Sequence, residues 1–179
     1  MKWKIPKSYN NSALMCYLYI FVVILSFLAA KNKPIFSAVT LTGTIISISI
    51  LLDLKKILNQ KFLYHKVDFY LIIFVIIKSI TTFFDILFHN EFLDFISNYG
   101  HIFFGITGIL QIIYSFMLII TKFRGLEKIK TYGLFSFLSG MMSLTTSYSI
   151  FQLFFSLISV YVLANVFFES EEIANREHS

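Results

Sequence analysis

The run VDFYLIIFVIIKSITTFFDILF occupies residues 67–88, and beyond its first turn it is apolar except for Lys78 near the middle and a polar patch ending at Asp85. At about 1.5 Å per residue, an α-helix of this length crosses the hydrocarbon core of a bilayer, which is about 30 Å thick. The stretch therefore predicts a membrane-spanning helix that carries two ionisable groups within it.

The composition of the whole chain supports the same class of protein. Of the 179 residues, 57% are hydrophobic and only 14% are charged, 22 are Phe, and the mean hydropathy is +0.76. A soluble domain of this length has too small a core to bury so much apolar surface. The first apolar run, near 13–30, lacks a small-residue cleavage site and is followed by Lys31 and Lys33, so we predict a retained helix and no signal peptide.

Runs long enough to span a membrane occur near 13–30, 35–52, 67–88, 102–121, 132–147 and 148–168. The last two share an uncharged stretch, Tyr132 to Phe168, that as one helix would reach about 55 Å. A break at Thr145–Ser149 gives two helices, and a five-helix arrangement is the alternative. We predict an all-α, polytopic transmembrane bundle of about six helices forming one domain over 1–179, with 169–179 as a short solvated tail.

The basic residues are distributed unevenly between the two predicted sides of this bundle. Lys31 and Lys33 lie on one side, whereas 12 lie on the other: Lys2, Lys4, Lys7, Lys55, Lys56, Lys61, Lys66, Lys122, Arg124, Lys128, Lys130 and Arg176. Short cytoplasmic loops are enriched in Lys and Arg, so both termini are predicted to be cytoplasmic. This topology accounts for the net charge of +5 better than a nucleic-acid surface does, and no nucleic-acid partner is predicted.

The third run is the most informative about function, because Lys78, Thr82 and Asp85 follow one helical face. Ionisable groups inside a membrane are costly and are often functional. One hypothesis is a site around Asp85, open to the outer face, with Lys78, Thr82, Gln111 and Tyr114 lining the pocket. The alternative is a structural polar cluster in which Lys78 reaches the interface or pairs with a neighbouring helix.

Other polar features favour packing over chemistry. Gly105 and Gly108 are typical of close helix contacts in membranes, as are the small residues of the fifth run, Ser136, Ser139, Gly140 and Ser143. The lone Cys16 has no internal disulfide partner. The spacing of the outer residues His89, Glu91, Asp94 and His101 matches no metal-ligand pattern, so neither a metal site nor a cofactor is predicted.

Four short elements resemble, in order, those of the YhhN-type lysoplasmalogenase family of membrane hydrolases. They are Lys33-Pro34-Ile35, the segment 81–87 with Phe84 in place of a Gly, Gln111 to Tyr114 with Gln in place of a His, and Ser159 to Ala164 with Val160 in place of an Asp. The resemblance implies hydrolysis of the vinyl-ether bond of a lysophospholipid, with Asp85 as one of two acid–base groups. Val160 cannot be the second, so the resemblance also admits a non-catalytic relative.

Three functional hypotheses follow. The first is a lipid-directed membrane hydrolase or its non-catalytic relative, with membrane lipids as partners. The second is a small transporter or binding protein that uses the Lys78–Asp85 seam, and the third is an assembly subunit bound to another membrane protein or to a second copy. The Lys, Asn, Ile and Phe bias indicates a bacterial inner membrane, with an organellar membrane as the alternative.

Overall fold

The computed structural model describes residues 9–29, 32–87, 89–145 and 150–176, without the side chains of 27, 33, 81, 83–104, 145 and 174–176. This part of the chain is entirely helical outside its connections. The helices are α1 (Tyr9–Ala29), α2 (Lys33–Phe62), α3 (Asp68–Leu87), α4 (His89–Ile120), α5 (Lys128–Thr145) and α6 (Ile150–Arg176). The prediction of six helices is confirmed, and the predicted break separates α5 from α6, although residues 146–149 lie outside the described part.

Local sequence explains where α2 begins and ends. The side chain of Asn32 accepts a hydrogen bond from the N–H of Ile35 at 3.4 Å, and Pro34 occupies the first turn, where its missing N–H costs nothing. At the other end Leu63 adopts a left-handed conformation with φ of 50°, which allows the N–H of Tyr64 to bond the carbonyl of Leu58 at 3.0 Å. The helix therefore stops just before the connection to α3.

Several helices extend beyond the apolar runs that predicted them. Helix α2 continues to Phe62, well past residue 52, and α4 begins at His89, so the segment between the predicted runs 67–88 and 102–121 is also helical from residue 89 onward. Apolar character marks only the segment matched to the bilayer core, whereas a helix continues for as long as its backbone hydrogen bonds are favourable.

Residues 169–176 belong to the segment expected to be a short solvated tail, and in the structure they continue α6. Ser170 is fully buried, and its carbonyl accepts a hydrogen bond from the ammonium of Lys61 at the end of α2. Glu169 accepts a hydrogen bond from the N–H of Lys128 at 3.1 Å. These contacts with α2 and α5 hold the last turns of α6 against the bundle.

The six helices form a closed ring. Each helix packs against the next one in the chain, and α1 packs against α6, which completes the circle. Because the connections are short, consecutive helices run antiparallel. All six helices consequently face a common centre.

The bundle exposes many large apolar side chains in addition to those buried in its core. Large apolar residues are exposed on every helix, for example Leu14, Ile45, Ile76, Phe116, Leu134 and Phe154, whereas Ser47, Thr82, Ser115, Ser136 and Ser159 are buried. Within the described residues, three helical segments are long and apolar enough to cross a membrane, namely Tyr9–Ser26, Pro34–Phe62 and Ile150–Ile173. A shorter apolar helical segment covers Gly105–Ile120.

Small residues bring α4 and α5 into close contact. A Cβ added to Gly108 would lie 2.1 Å from Ser143 Oγ and 3.0 Å from the Gly140 carbonyl oxygen, so a side chain at Gly108 meets both. A Cβ added to Gly105 would meet nothing within 4 Å. Close packing was predicted for both glycines, and it is found at Gly108 alone of the two.

Charged and polar residues join the helix ends at the predicted cytoplasmic side. Lys55 on α2 lies 3.6 Å from Asp68 at the start of α3, and Asn59 donates a hydrogen bond to the same carboxylate at 2.7 Å. Lys128 at the start of α5 lies 3.7 Å from Glu169 on α6. Lys2, Lys4 and Lys7, which are predicted to lie on the same side, are outside the described residues.

Candidate functional site

A cavity of about 100 Å³, with both polar and apolar side chains in its wall, lies at the centre of the ring. All six helices contribute to its wall, which is formed by Tyr19, Ser47, Ile50, Leu51, Phe74, Lys78, Gln111, Tyr114, Tyr132, Ser136, Ser156, Ser159, Val160 and Leu163. Its position follows from the closed ring, because residues from the inward faces of all six helices meet there.

The predicted site residues divide into two groups. Lys78, Gln111 and Tyr114 line the cavity together, although they come from two helices. Thr82 is buried, and its hydroxyl lies 2.8 Å from that of Thr44 on α2, so it joins α2 to α3 outside the cavity wall. The backbone of Asp85 belongs to α3, but its side chain lies outside the described part, as do those of His89, Glu91, Asp94 and His101.

Lys78 is held by a tyrosine of the first helix. Its ammonium donates a hydrogen bond to the hydroxyl of Tyr19 at 3.3 Å and lies 5.2 Å from the centre of the Tyr19 ring. A cation at this distance from an aromatic face is attracted to it. Among the described side chains no carboxylate forms an ion pair with Lys78, and the contacts described for its ammonium are with the neutral Tyr19.

A hydrogen-bonded network of four residues forms the wall opposite α1. The amide of Gln111 donates to the backbone carbonyl of Ser136 at 3.0 Å and lies 3.3 Å from the Ser136 hydroxyl. That hydroxyl is 2.7 Å from the hydroxyl of Tyr114, which is in turn 3.4 Å from the hydroxyl of Tyr132. Both tyrosines and the serine are buried, so the network fixes the spacing of α4 and α5 at the cavity.

Two serines of the wall are bonded to their own helices. Ser47 donates to the carbonyl of Thr44 at 2.9 Å, and Ser159 donates to the carbonyl of Ser156 at 2.8 Å. Such local bonds use the hydroxyl proton within the helix, so neither serine has that proton to donate to a ligand.

The chain matches no family model, no curated protein and no solved structure. The resemblance to YhhN-type lysoplasmalogenases is therefore carried by the quoted residues alone. Of these, Gln111, Tyr114, Ser159 and Val160 line the cavity, whereas the side chains of Lys33, Thr81 and residues 83–87 lie outside the described part.

Sequence reasoning did not assign Tyr19, Tyr132 or Ser136 to the site. Tyr132 and Ser136 are four residues apart, which places them on one face of α5. This spacing indicates a polar face, but in a run rich in small residues the serine is equally typical of helix packing. Tyr19 gave no signal, since Tyr17 and Tyr19 occur in the same run and only the packing of α1 against its neighbours selects one of them.

Metal binding has no support in the described residues. No group of three His, Cys, Asp or Glu side chains in that part of the chain is close enough to hold an ion. What the cavity offers is one ammonium, one amide and a set of hydroxyls, which are groups that bind and orient a polar ligand.

Proposed function

We propose that the six helices form a polytopic bundle in the bacterial cytoplasmic membrane, with both termini on the cytoplasmic side. The exposed apolar residues on every helix support this proposal, because such a surface is stable in lipid and not in water. The basic residues at one end of the bundle support the orientation.

Cysteine accessibility tests this topology. In a Cys16→Ser background, Asn32→Cys should react with a membrane-impermeant maleimide in intact cells, whereas Lys66→Cys and Arg124→Cys should react only after permeabilisation. The same accessibility at all three positions would overturn the six-span arrangement, and the reverse pattern would overturn its orientation.

We further propose that the bundle is a binding protein that holds a small polar group in its central cavity. The observation that carries this proposal is the convergence of Lys78, Gln111 and Tyr114 on one cavity. Lys78 has no carboxylate partner among the described side chains. A lysine in an apolar surrounding is costly, and a bound polar group would offset that cost.

A thermal-shift assay in detergent tests binding, since a ligand specific for the folded state raises the melting temperature. The probes are sodium acetate, sodium phosphate, choline, spermidine, glycerol and lysophosphatidylcholine. Ser156→Leu fills the cavity, and Ser49→Leu adds the same bulk at an exposed position on α2. We expect at least one probe to stabilise the wild type and Ser49→Leu but not Ser156→Leu. Absence of any shift, or an equal shift in Ser156→Leu, would refute cavity binding.

The second candidate is the lysoplasmalogenase-like hydrolase, with Asp85 as the acid–base group. It is favoured by the presence of Gln111, Tyr114 and Ser159 in one cavity, since the resemblance places all three in family elements. It is disfavoured by Val160, which lines the same cavity where the family has an aspartate and cannot transfer a proton. Aldehyde release from a vinyl-ether lysophospholipid by the wild type and not by Asp85→Asn would establish the enzyme. No release from either protein would favour the non-catalytic binding role.

A further inference from the structure

The described residues of the cavity wall carry one positive charge and no negative charge. Lys78 is the single charged residue among the described residues that line the cavity, and the rest of the polar wall consists of one amide and seven hydroxyl-bearing residues. Lys78 is only partly exposed, and its described contacts are with the neutral Tyr19. The cavity therefore presents a positive charge without a negative counterpart in its described lining.

The unused hydrogen-bond donors of the cavity wall likewise favour a negatively charged ligand. The Lys78 ammonium has three N–H donors, of which one is directed at the Tyr19 hydroxyl. Because Tyr19 accepts that bond, its own O–H proton remains available, and it has no acceptor among the described residues. Spare donors are thus concentrated on the α1–α3 side of the cavity.

The α4–α5 side contributes a further donor. The hydroxyls of Tyr132, Tyr114 and Ser136 carry three protons, but the two contacts between them use only two. The third proton is left on one of the three hydroxyls, and all three residues line the cavity. Donors consequently face the space from two opposite walls.

We propose that the cavity receives an oxyanion group, a carboxylate or a phosphate, between Lys78 and Tyr19 on one side and the Tyr114–Tyr132–Ser136 hydroxyls on the other. The proposal rests on the proposed binding function and names its ligand class. An oxyanion offers several acceptor oxygens to the spare donors, and its negative charge pairs with the Lys78 ammonium. Hydrogen bonds to an ionised partner are stronger than those between neutral groups. A volume of about 100 Å³ holds the anionic group of a ligand and excludes a long chain.

Charge-matched probes test this assignment by thermal shift at constant ionic strength. Sodium acetate and sodium phosphate represent free anions, and oleate represents an anion carried by a lipid, with oleyl alcohol as its uncharged counterpart. Choline and glycerol are the cationic and neutral probes. The variants are Lys78→Met, Lys78→Arg and Tyr19→Phe, with Lys66→Met as a matched control because Lys66 is exposed in the α2–α3 connection.

The expected result is stabilisation by at least one oxyanion, with affinity reduced at least about tenfold in Lys78→Met, retained in part in Lys78→Arg and unchanged in Lys66→Met. A smaller loss is expected in Tyr19→Phe, since the ammonium remains. Stabilisation by acetate or phosphate identifies a free anion, whereas stabilisation by oleate but not oleyl alcohol identifies a lipid head group.

Two results would overturn the assignment while leaving cavity binding intact. One is stabilisation by glycerol or choline alone that Ser156→Leu abolishes. The other is oxyanion binding that Lys78→Met leaves unchanged. Failure of all probes with the wild type would instead reject the binding function itself. Lys78→Met exchanges a charged side chain for an apolar one of similar length, and its melting temperature without probe reports separately on folding.

Discussion

The carboxylate of Glu171, near the end of α6, accepts a hydrogen bond from the backbone N–H of Tyr9, the first described residue of α1, at 2.7 Å. The two residues are 162 positions apart in the chain. The bond joins the two ends of the sequence at the point where the ring of helices closes, and it satisfies an N–H that has no partner within α1.

Replacing Glu171 should destabilise the fold by opening this contact. The carboxylate acts as a cap at a helix N-terminus, where loss of such a group costs about 0.5–2 kcal/mol. Glu171→Ala should therefore lower the melting temperature in detergent by a few degrees, and Glu171→Gln should lower it less because the amide oxygen still accepts. Glu127→Ala, at an exposed position in the α4–α5 connection, is the control, and an equal loss there would contradict the capping role.

The contact between α4 and α5 predicts opposite outcomes for two nearby glycines. Gly108→Ala should destabilise the protein by about 1–3 kcal/mol, because the new methyl group meets Ser143 and the Gly140 backbone. Gly105→Ala should be neutral or slightly stabilising, since the position is open and alanine favours a helix. Thermal unfolding of the two variants side by side measures the difference, and equal melting temperatures would contradict the close contact.

The hydroxyl network predicts energetic coupling between Tyr114 and Ser136. Tyr114→Phe leaves the buried hydroxyls of Ser136 and Tyr132 without a shared partner, which should cost about 1–3 kcal/mol. Once Tyr114 is Phe, Ser136→Ala should cost less than it does in the wild type. The double-mutant cycle should give a coupling energy of about 0.5–3 kcal/mol. Tyr161→Phe, on the exposed face of α6, should have little effect, and additive costs for Tyr114 and Ser136 would argue against the network.

Cys16 offers a direct measure of folding, because it is the one cysteine of the chain and is fully buried. A water-soluble maleimide should leave it unmodified in mild detergent and label it completely in SDS. Lys66→Cys in a Cys16→Ser background should react at once in both conditions, since position 66 is exposed. If Cys16 in mild detergent reacts as fast as the cysteine at position 66, the result would contradict the packing of α1 in the ring.

Part of the candidate site was predictable from the sequence because a charged or amide group in an apolar helix is conspicuous. Lys78 and Gln111 stand out on that basis, Tyr114 follows Gln111 by three residues, and the three meet in the cavity. Thr82 was selected by its position on the Lys78 face of α3, but its hydroxyl is turned to Thr44 on α2. Periodicity places a residue on a helix face, and only the neighbouring helices decide which part of that face borders a cavity.

Apolar length predicted the helices well and their ends poorly. The six runs correspond to six helices because a span of about 20 apolar residues is a strong and local signal. The last two turns of α6 contain Glu169, Ser170 and Glu171, which in sequence are typical of a solvated tail. They are helical because Lys61, Lys128 and Tyr9 supply their partners, and those partners lie on other helices.

The sequence by itself determined the helical class, the number of helices and the presence of a lysine within an apolar segment, since each depends on the local order of apolar and polar residues. Only the tertiary structure decided that the helices close into a ring, that Tyr19, Tyr132 and Ser136 join the site, and that Gly108 and not Gly105 is a close contact. These features depend on which faces of distant helices meet. That choice is made by packing and hydrogen bonding between side chains far apart in the chain, and no local pattern encodes it.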